Sequence, residues 1–326
     1  MQQASGLSTL QGALDFDRYW MFLLRRDTRH LGFFIKQLQH QNRTSNALIL
    51  SPDGPIVSLT TYGVRLATVY LTIESIARGA VRPSRLILWL DDCAPDRCPD
   101  DLKRLAARGL EILMTDNFGP HKKYYPYVQS TEVYEQPLIT ADDDVLYPRD
   151  WLDGLVTEYR RNPSVIHCWR AHVMGISNGA ILPYLKWKNC SSSETSFLHF
   201  WTGVSGSAFP PALLRQLRAA GTSFRSQCPT ADDIWLHANA LRAGLRVKQI
   251  KRFQRNFPEL PGSQAGSLCN LNVVHSWNDA QIAMTYTAED LALLKLESLS
   301  LSGSRSAMRT PGGGAELTAG RQWLPC

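Results

Sequence analysis

Ile139-Thr140-Ala141-Asp142-Asp143-Asp144-Val145-Leu146-Tyr147-Pro148 is the stretch that decides how the rest of this chain is read. The run from Pro137 to Ala141 has the composition of a buried strand, and it delivers three consecutive carboxylates at its end. Three such charges repel one another and are expensive to desolvate, so a cation is expected to neutralise them. Mg²⁺ or Mn²⁺ suits these donors, because both favour carboxylate oxygen and take one or two carboxylates while phosphate oxygens and waters complete the octahedron. In an extended chain Asp142 and Asp144 point to one side and Asp143 to the other. The spacing therefore predicts that Asp142 and Asp144 share the metal and that Asp143 supports them. A solvated acidic turn is the plain alternative, and the apolar strand before the acids and Tyr147-Pro148 after them weigh against it.

Upstream, strands and helices alternate. Ile56 to Thr61 is a short β-branched run leading through Tyr62 and Gly63 into Leu66, Val69, Tyr70, Ile73, Ile76 and Ala77, which repeat with helical spacing. Arg85 to Leu90 reads as a buried strand ending in Asp91-Asp92, Leu102 to Ala106 as a helix that stops at Gly109, and Leu110 to Met114 as a third strand. This order predicts a mostly parallel sheet with right-handed crossovers, in which ligands bind beyond the carboxyl ends of the strands.

Downstream the pattern is less regular. A helix is expected over 150–159, a strand over 164–169, a Gly/Ser-rich apolar segment over 201–209, a helix opened by Pro210-Pro211 and closed near Gly221, another over 230–243 capped by Gly244, and a final strand over 246–250. The chain thus divides into a helical extension (1–50), a main domain (51–300, with halves at 51–150 and 151–300) and a Ser/Gly/Pro-rich tail (301–326) expected to be flexible.

The chain has 326 residues, 44% of them apolar, and a formal net charge of +6. That is enough for a large core, and it excludes a disulfide-stapled mini-protein and wholesale disorder. The positive excess sits at the ends, with a surplus of three in residues 1–50 and two in 302–326. A nucleic-acid-binding core is therefore not expected. The basic first fifty residues carry Phe16, Tyr19, Trp20, Leu23 and Leu24, then Leu31, Phe34, Ile35 and Leu38, at helical spacing. They suit either packing on the core or peripheral contact with an anionic membrane surface. Seven cysteines, with no secretory signal ahead of them, read as reduced thiols of a cytoplasmic protein, with or without association with a membrane. Cys93 and Cys98 lack a second pair at zinc-finger spacing.

The residues resemble the GT-A-fold nucleotide-sugar glycosyltransferases, and more closely a bacterial, family-two-like group associated with capsule and lipopolysaccharide assembly. The matching segments are Val57 to Tyr62 with Arg65, Leu86 to Leu90, His121 to Tyr124, the aspartate block through Trp151, Ile166 to His172, Thr202-Gly203-Val204 and Pro229 to Trp235. They run in consistent order from about residue 55 to 285.

The resemblance implies an enzyme that moves a sugar from a nucleotide-diphosphate donor to a glycan or lipid-linked acceptor, with inversion favoured. It implies that Asp142 lies near the sugar or ribose and that Asp144 binds the Mn²⁺ or Mg²⁺ bridging to the diphosphate, where the cation offsets charge on the leaving nucleotide. Thr60, Thr61 and Tyr62 match the nucleoside cradle, Asp92 a carboxylate facing the base, and Lys122 and Lys123 positive charge near base or phosphate; Arg65 and Asp143 join them as nucleotide-sugar-binding residues. Asp232 and Asp233 match the downstream acidic motif, so one of them is the expected base. Thr230 to Asp233 is also a capping-box pattern, with Thr230 as N-cap. Trp201, Thr202 and Gly203 match the acceptor side, and His275 a late third metal ligand. His167 and His172 flank Trp169-Arg170, where they could meet the diphosphate. Two other readings remain open: a nucleotidyltransferase on a similar sheet, disfavoured by the missing glycine-rich basic loop, and a catalytically silent carbohydrate-binding or assembly protein.

Overall fold

In the computed structural model, residues 28–263 and 276–307 are described. Strand β2 (Arg85–Leu90) shows why the sheet lies at the centre. Its alternate residues Leu86, Leu88 and Leu90 enter one apolar cluster while Ile87 and Trp89 enter another on the opposite face. A strand apolar on both sides can only be satisfied by cover on both sides, which is the pattern of a parallel sheet between helices.

Parallel to β2 on its two sides lie β1 (Ile56–Thr60) and β3 (Leu110–Met114), and β1 pairs in turn with β4 (Leu138–Thr140), with Ser58 opposite both Ile87 and Thr140. Beyond β4 the sheet changes direction. Strand β12 (Ser207–Phe209) runs antiparallel to both β4 and β5 (Ile166–Cys168), β13 (Val247–Gln249) is parallel to β5, and β10 (Thr195–Ser196) forms the antiparallel edge. The eight strands lie in the order β10-β13-β5-β12-β4-β1-β2-β3. This is the expected α/β class, with a large, mostly parallel central sheet flanked by helices. A three-stranded antiparallel sheet of β6 (Ala171–Val173), β9 (Lys188–Asn189) and β11 (His199–Trp201) stands beside it, and β7 (Ile176–Ser177) pairs antiparallel with β8 (Ala180–Ile181). The sequence pattern did not foretell it, because two- and three-residue strands are too short to show a period.

Helices α1 (Thr28–Thr44), α2 (Val69–Ala77), α3 (Asp100–Ala106), α4 (Tyr125–Ser130), α5 (Trp151–Arg161), α6 (Pro211–Ala220), α7 (Phe224–Gln227), α8 (Asp232–Arg242), α9 (Trp277–Thr285) and α10 (Ala288–Ala307) complete the order. Gly221 and Gly244 follow α6 and α8 with positive φ, as their positions predict. At Gly206 the backbone must be glycine: φ is 84°, and a Cβ there would stand 2.7 Å from the Trp151 ring, whose Nε1 donates to the Ser205 carbonyl at 2.9 Å.

The described residues at either end of the chain bear on two expectations. In α1, Phe34 and Leu38 are buried in the core with Leu31 and Ile35 packed beside them. These residues therefore pack on the core, the first of the two readings their spacing offers. Residues Phe16 to Leu24 lie outside the described residues. Helix α10 runs on to Ala307, into the segment expected to be a flexible tail, and residues 308–326 lie outside the described residues. Among the described residues, no helix is long and apolar enough to cross a membrane.

Candidate active site

Every chain segment that leaves the carboxyl end of β1, β2 or β4 turns into one cavity of about 580 Å³. From β1 come Thr60, Tyr62 and Arg65; from β2, Asp91 and Asp92; from β4, Asp142, Asp143 and Asp144. The 3-10 turn Gly119–Lys123 adds Lys122 and Lys123, the segment after β11 adds Thr202, Gly203 and Val204, and the start of α8 adds Asp232 and Asp233.

The three aspartates do not follow the simple alternation expected of extended chain. β4 ends at Thr140 and the backbone bends at Asp143 and Asp144. All three carboxylates consequently face the cavity, but toward different cations. Asp143 and Asp144 share Arg65, with Nη1 2.9 Å from Asp143 Oδ1 and Nη2 3.3 Å from Asp144 Oδ2. Arg65 Nη2 also donates to the Ser263 carbonyl at 2.7 Å. Asp142 pairs with Lys123.

Burial raises the Asp143 carboxyl above the usual range despite Arg65. Burial, then the charges of Asp142 and Asp143, push Asp144 up to about 7. Burial alone would lower the Arg65 guanidinium, but the two aspartates outweigh it and leave it raised.

A second acidic pair lines the same cavity. Asp232 and Asp233 open α8, whose N-cap is Ala231. The capping box expected of Thr230 is therefore not formed. Instead, Asp233 Oδ2 accepts from the Gly203 amide at 3.1 Å. Burial, followed by the neighbouring Asp232, pushes Asp233 up to about 8; burial likewise raises Asp232, with Lys123 opposing. Lys123 is the bridge between the two acidic groups, with its Nζ paired to Asp142 and 3.9 Å from Asp232 Oδ2. Desolvation pulls its ammonium down, but Asp142, Asp232 and Asp233 together hold it well above its usual value.

Other residues fall into distinct places. Lys122 is buried and paired with Asp91, with its Nζ 5.9 Å from the Tyr62 ring centroid; the Arg65 guanidinium lies 5.8 Å from the same ring. Asp92 Oδ2 accepts from the Gly63 amide at 2.8 Å, and Thr60 Oγ1 donates to the Trp89 carbonyl at 2.9 Å. Thr61 is fully buried and donates to Asp143 Oδ2 at 2.6 Å. It orients that carboxylate from behind and does not line the cavity, contrary to its expected place in a nucleoside cradle.

Trp201 is also corrected. It is 0% exposed, packed between Phe209 and His237, and so has no face free for a sugar. His167 and His172 are buried outside the cavity lining, with His167 Nε2 2.9 Å from the Asn162 carbonyl. His275 lies outside the described residues.

The sequence reading missed Asp91, Tyr184, Phe200, Glu259 and Asn278, which also line the cavity. Asp91 was legible as half of an acidic pair after β2. The others arrive from segments distant in the chain, Phe200 from β11 and Asn278 from α9 among them, and no local spacing marks them.

The donor set fits a hard divalent cation. It is all oxygen, and five aspartates face the two cations Arg65 and Lys123, leaving an excess of negative charge. Among the described residues no three His, Cys, Asp or Glu side chains close into a metal cage. That is compatible with a metal held by one or two carboxylates and completed by a ligand's phosphates.

No protein-family model matches the chain, and comparison with curated proteins finds no match. Among solved structures the chain is similar to a CMP:2-keto-3-deoxy-manno-octonic acid synthetase complexed with CTP, at 14% identity and a TM-score of 0.37, covering 69% of this chain and 100% of that one. It is similar to GalNAc-T7 with UDP, GalNAc and Mn²⁺, at 12% identity and a TM-score of 0.44, covering 79% of this chain and 58% of that one. It is similar as well to S. aureus TarS 1-349, at 15% identity and a TM-score of 0.42, covering 77% of this chain and 73% of that one.

Proposed function

We propose that this protein is a metal-dependent, inverting glycosyltransferase that takes a sugar from a nucleotide diphosphate to a glycan or lipid-linked acceptor. The observation that carries the reading is the placement of two acidic groups, Asp142 to Asp144 and Asp232-Asp233, in the lining of one cavity with Lys123 between them. One group suits the donor's diphosphate and the other the acceptor's hydroxyl. The sequence resemblance of residues 55–285 adds the bacterial surface-polysaccharide setting.

Asp144 and Asp142 would hold Mn²⁺ or Mg²⁺, which when bound supplies Lewis-acid stabilisation of the departing nucleotide. Arg65 keeps Asp143 and Asp144 in place, and Thr61 fixes Asp143 from behind. Tyr62, Thr60 and Asp92 form the wall suited to a nucleoside. Asp233 is the proposed base: its carboxylate takes the acceptor hydroxyl's proton, and its raised pKa makes it a stronger base than an exposed aspartate. The Gly203 amide orients it. Thr202 and Gly203 would border the acceptor.

A thermal-shift panel of UDP, GDP and CDP with and without Mn²⁺, repeated on Asp144→Ala, tests the donor half. Stabilisation by one nucleotide only with metal, lost in the variant, is the expected result. Equal stabilisation in EDTA would remove the metal from the proposal. Release of pyrophosphate from a nucleoside triphosphate, rather than a nucleoside diphosphate from a nucleotide sugar, would favour nucleotidyl transfer.

A further inference from the structure

The rim of the cavity continues past Asp92 into a short loop with no part in the proposed transfer. Cys93 follows Asp92, and Cys98 ends the 3-10 turn Pro95–Arg97. Both thiols reach the same acceptor, with Cys93 Sγ 3.5 Å and Cys98 Sγ 3.7 Å from the Ala94 carbonyl oxygen. Their exposure differs: Cys93 is partly open to solvent, while Cys98 is 2% exposed. Burial, reinforced by Cys93, holds the Cys98 thiol up at about 11. Reaction from solvent therefore begins at Cys93. The other described cysteines, Cys168, Cys190 and Cys228, are buried.

We infer that Cys93 and Cys98 form a peroxide-sensitive dithiol site that closes to an intramolecular disulfide at the cavity rim. The Cys93 sulfur, as thiolate, attacks one oxygen of the peroxide. The O–O bond breaks, the second oxygen leaves as water after taking a proton, and Cys93 becomes a sulfenic acid. The Cys98 sulfur then attacks Cys93 Sγ. The S–O bond breaks, and the departing hydroxide takes the Cys98 proton and leaves as water. Two thiols lose two electrons in all, and one hydrogen peroxide is reduced to two waters. The new bond closes a loop directly after Asp91 and Asp92, whose carboxylates hold Lys122 and the Gly63 amide.

The test treats the full chain with hydrogen peroxide, blocks remaining thiols with an alkylating agent, and maps peptides by mass spectrometry. Cleavage after Arg97 leaves the two cysteines on separate peptides, joined only if the disulfide has formed. The expected result is that linked pair, lost on reduction. In Cys98→Ser, a dimedone adduct at Cys93 is expected that the native chain does not accumulate. Alkylated thiols at both positions after peroxide treatment, Cys93 bonded to a different cysteine, or equal dimedone labelling with and without Cys98 would each overturn the inference.

Discussion

The ammonium of Lys123, paired with Asp142, also lies 3.9 Å from Asp232, so one cation joins the end of β4 to the start of α8. The two acidic groups are thus electrostatically one unit. Removing the cation leaves their carboxylates facing each other without compensation. Lys123→Met is expected to destabilise the fold by about 3 kcal/mol, the cost typical of a buried ion pair that loses one partner. Urea unfolding at pH 7.5 measures it. A change below about 0.5 kcal/mol would show that solvent already screens the pair.

Gly203 packs against the same unit. A Cβ added there would stand 3.2 Å from Asp233 Oδ1 and 3.3 Å from Lys123 Nζ, tight contacts that require both groups to shift by a few tenths of an ångström. Gly203→Ala is expected to reduce turnover about tenfold, in keeping with the sensitivity of catalysis to small misplacements. Its melting temperature should stay near the native one. Steady-state kinetics with the donor found in the thermal-shift panel decides this, and an unchanged kcat would remove Gly203 from the positioning of Asp233.

The pH dependence follows from the raised carboxyls. Asp144 and Asp233 have folded pKa values of about 7 and about 8, above the 3.8 of a free aspartate. The fold therefore keeps protons that the unfolded chain releases, and this stabilisation is complete below about pH 4 and is lost as pH rises through 7 to 8. His121, His172 and His237 have the opposite sign. Burial lowers them to about 3, 4 and 4, so they weaken the fold only as pH falls below about 6.5. Between pH 6.5 and 8, in EDTA, stability is expected to fall by up to about 1.4 kcal/mol per pH unit for each carboxyl still protonated. Asp233→Asn should flatten that slope. It should also lower kcat by about 10²–10⁴ while leaving metal-dependent nucleotide binding in place. A native rate that rises with pH toward about 8 is the matching kinetic signature.

Trp201→Ala separates packing from recognition. A fully buried tryptophan replaced by alanine is expected to cost about 3–5 kcal/mol. Nucleotide affinity, measured by calorimetry below the variant's melting temperature, should change less than about threefold. A large affinity loss with little destabilisation would return Trp201 to the site.

Residue pattern alone carried the parallel half of the molecule. Arg85–Leu90 and Leu110–Met114 form strands over the very residues expected, because β2, buried on both faces, and the edge strand β3 are both short, largely apolar runs with turn residues at their ends. Placement of the acids at strand ends was legible for the same reason, since the carboxyl ends of neighbouring parallel strands must open on one side. The direction of each acid was not legible. Asp143 and Asp144 share Arg65 because the chain bends where alternation would have continued, and Asp233 answers the Gly203 amide in place of capping its own helix. Trp201 and Thr61 have the composition of site residues, yet the packing of β11 and the hydrogen bond to Asp143 turn them inward. Local periodicity governs which backbone segments become strands and helices. Only the meeting of segments far apart in the chain, such as Lys123 with Asp232, decides which side chains share a charge and at what distance.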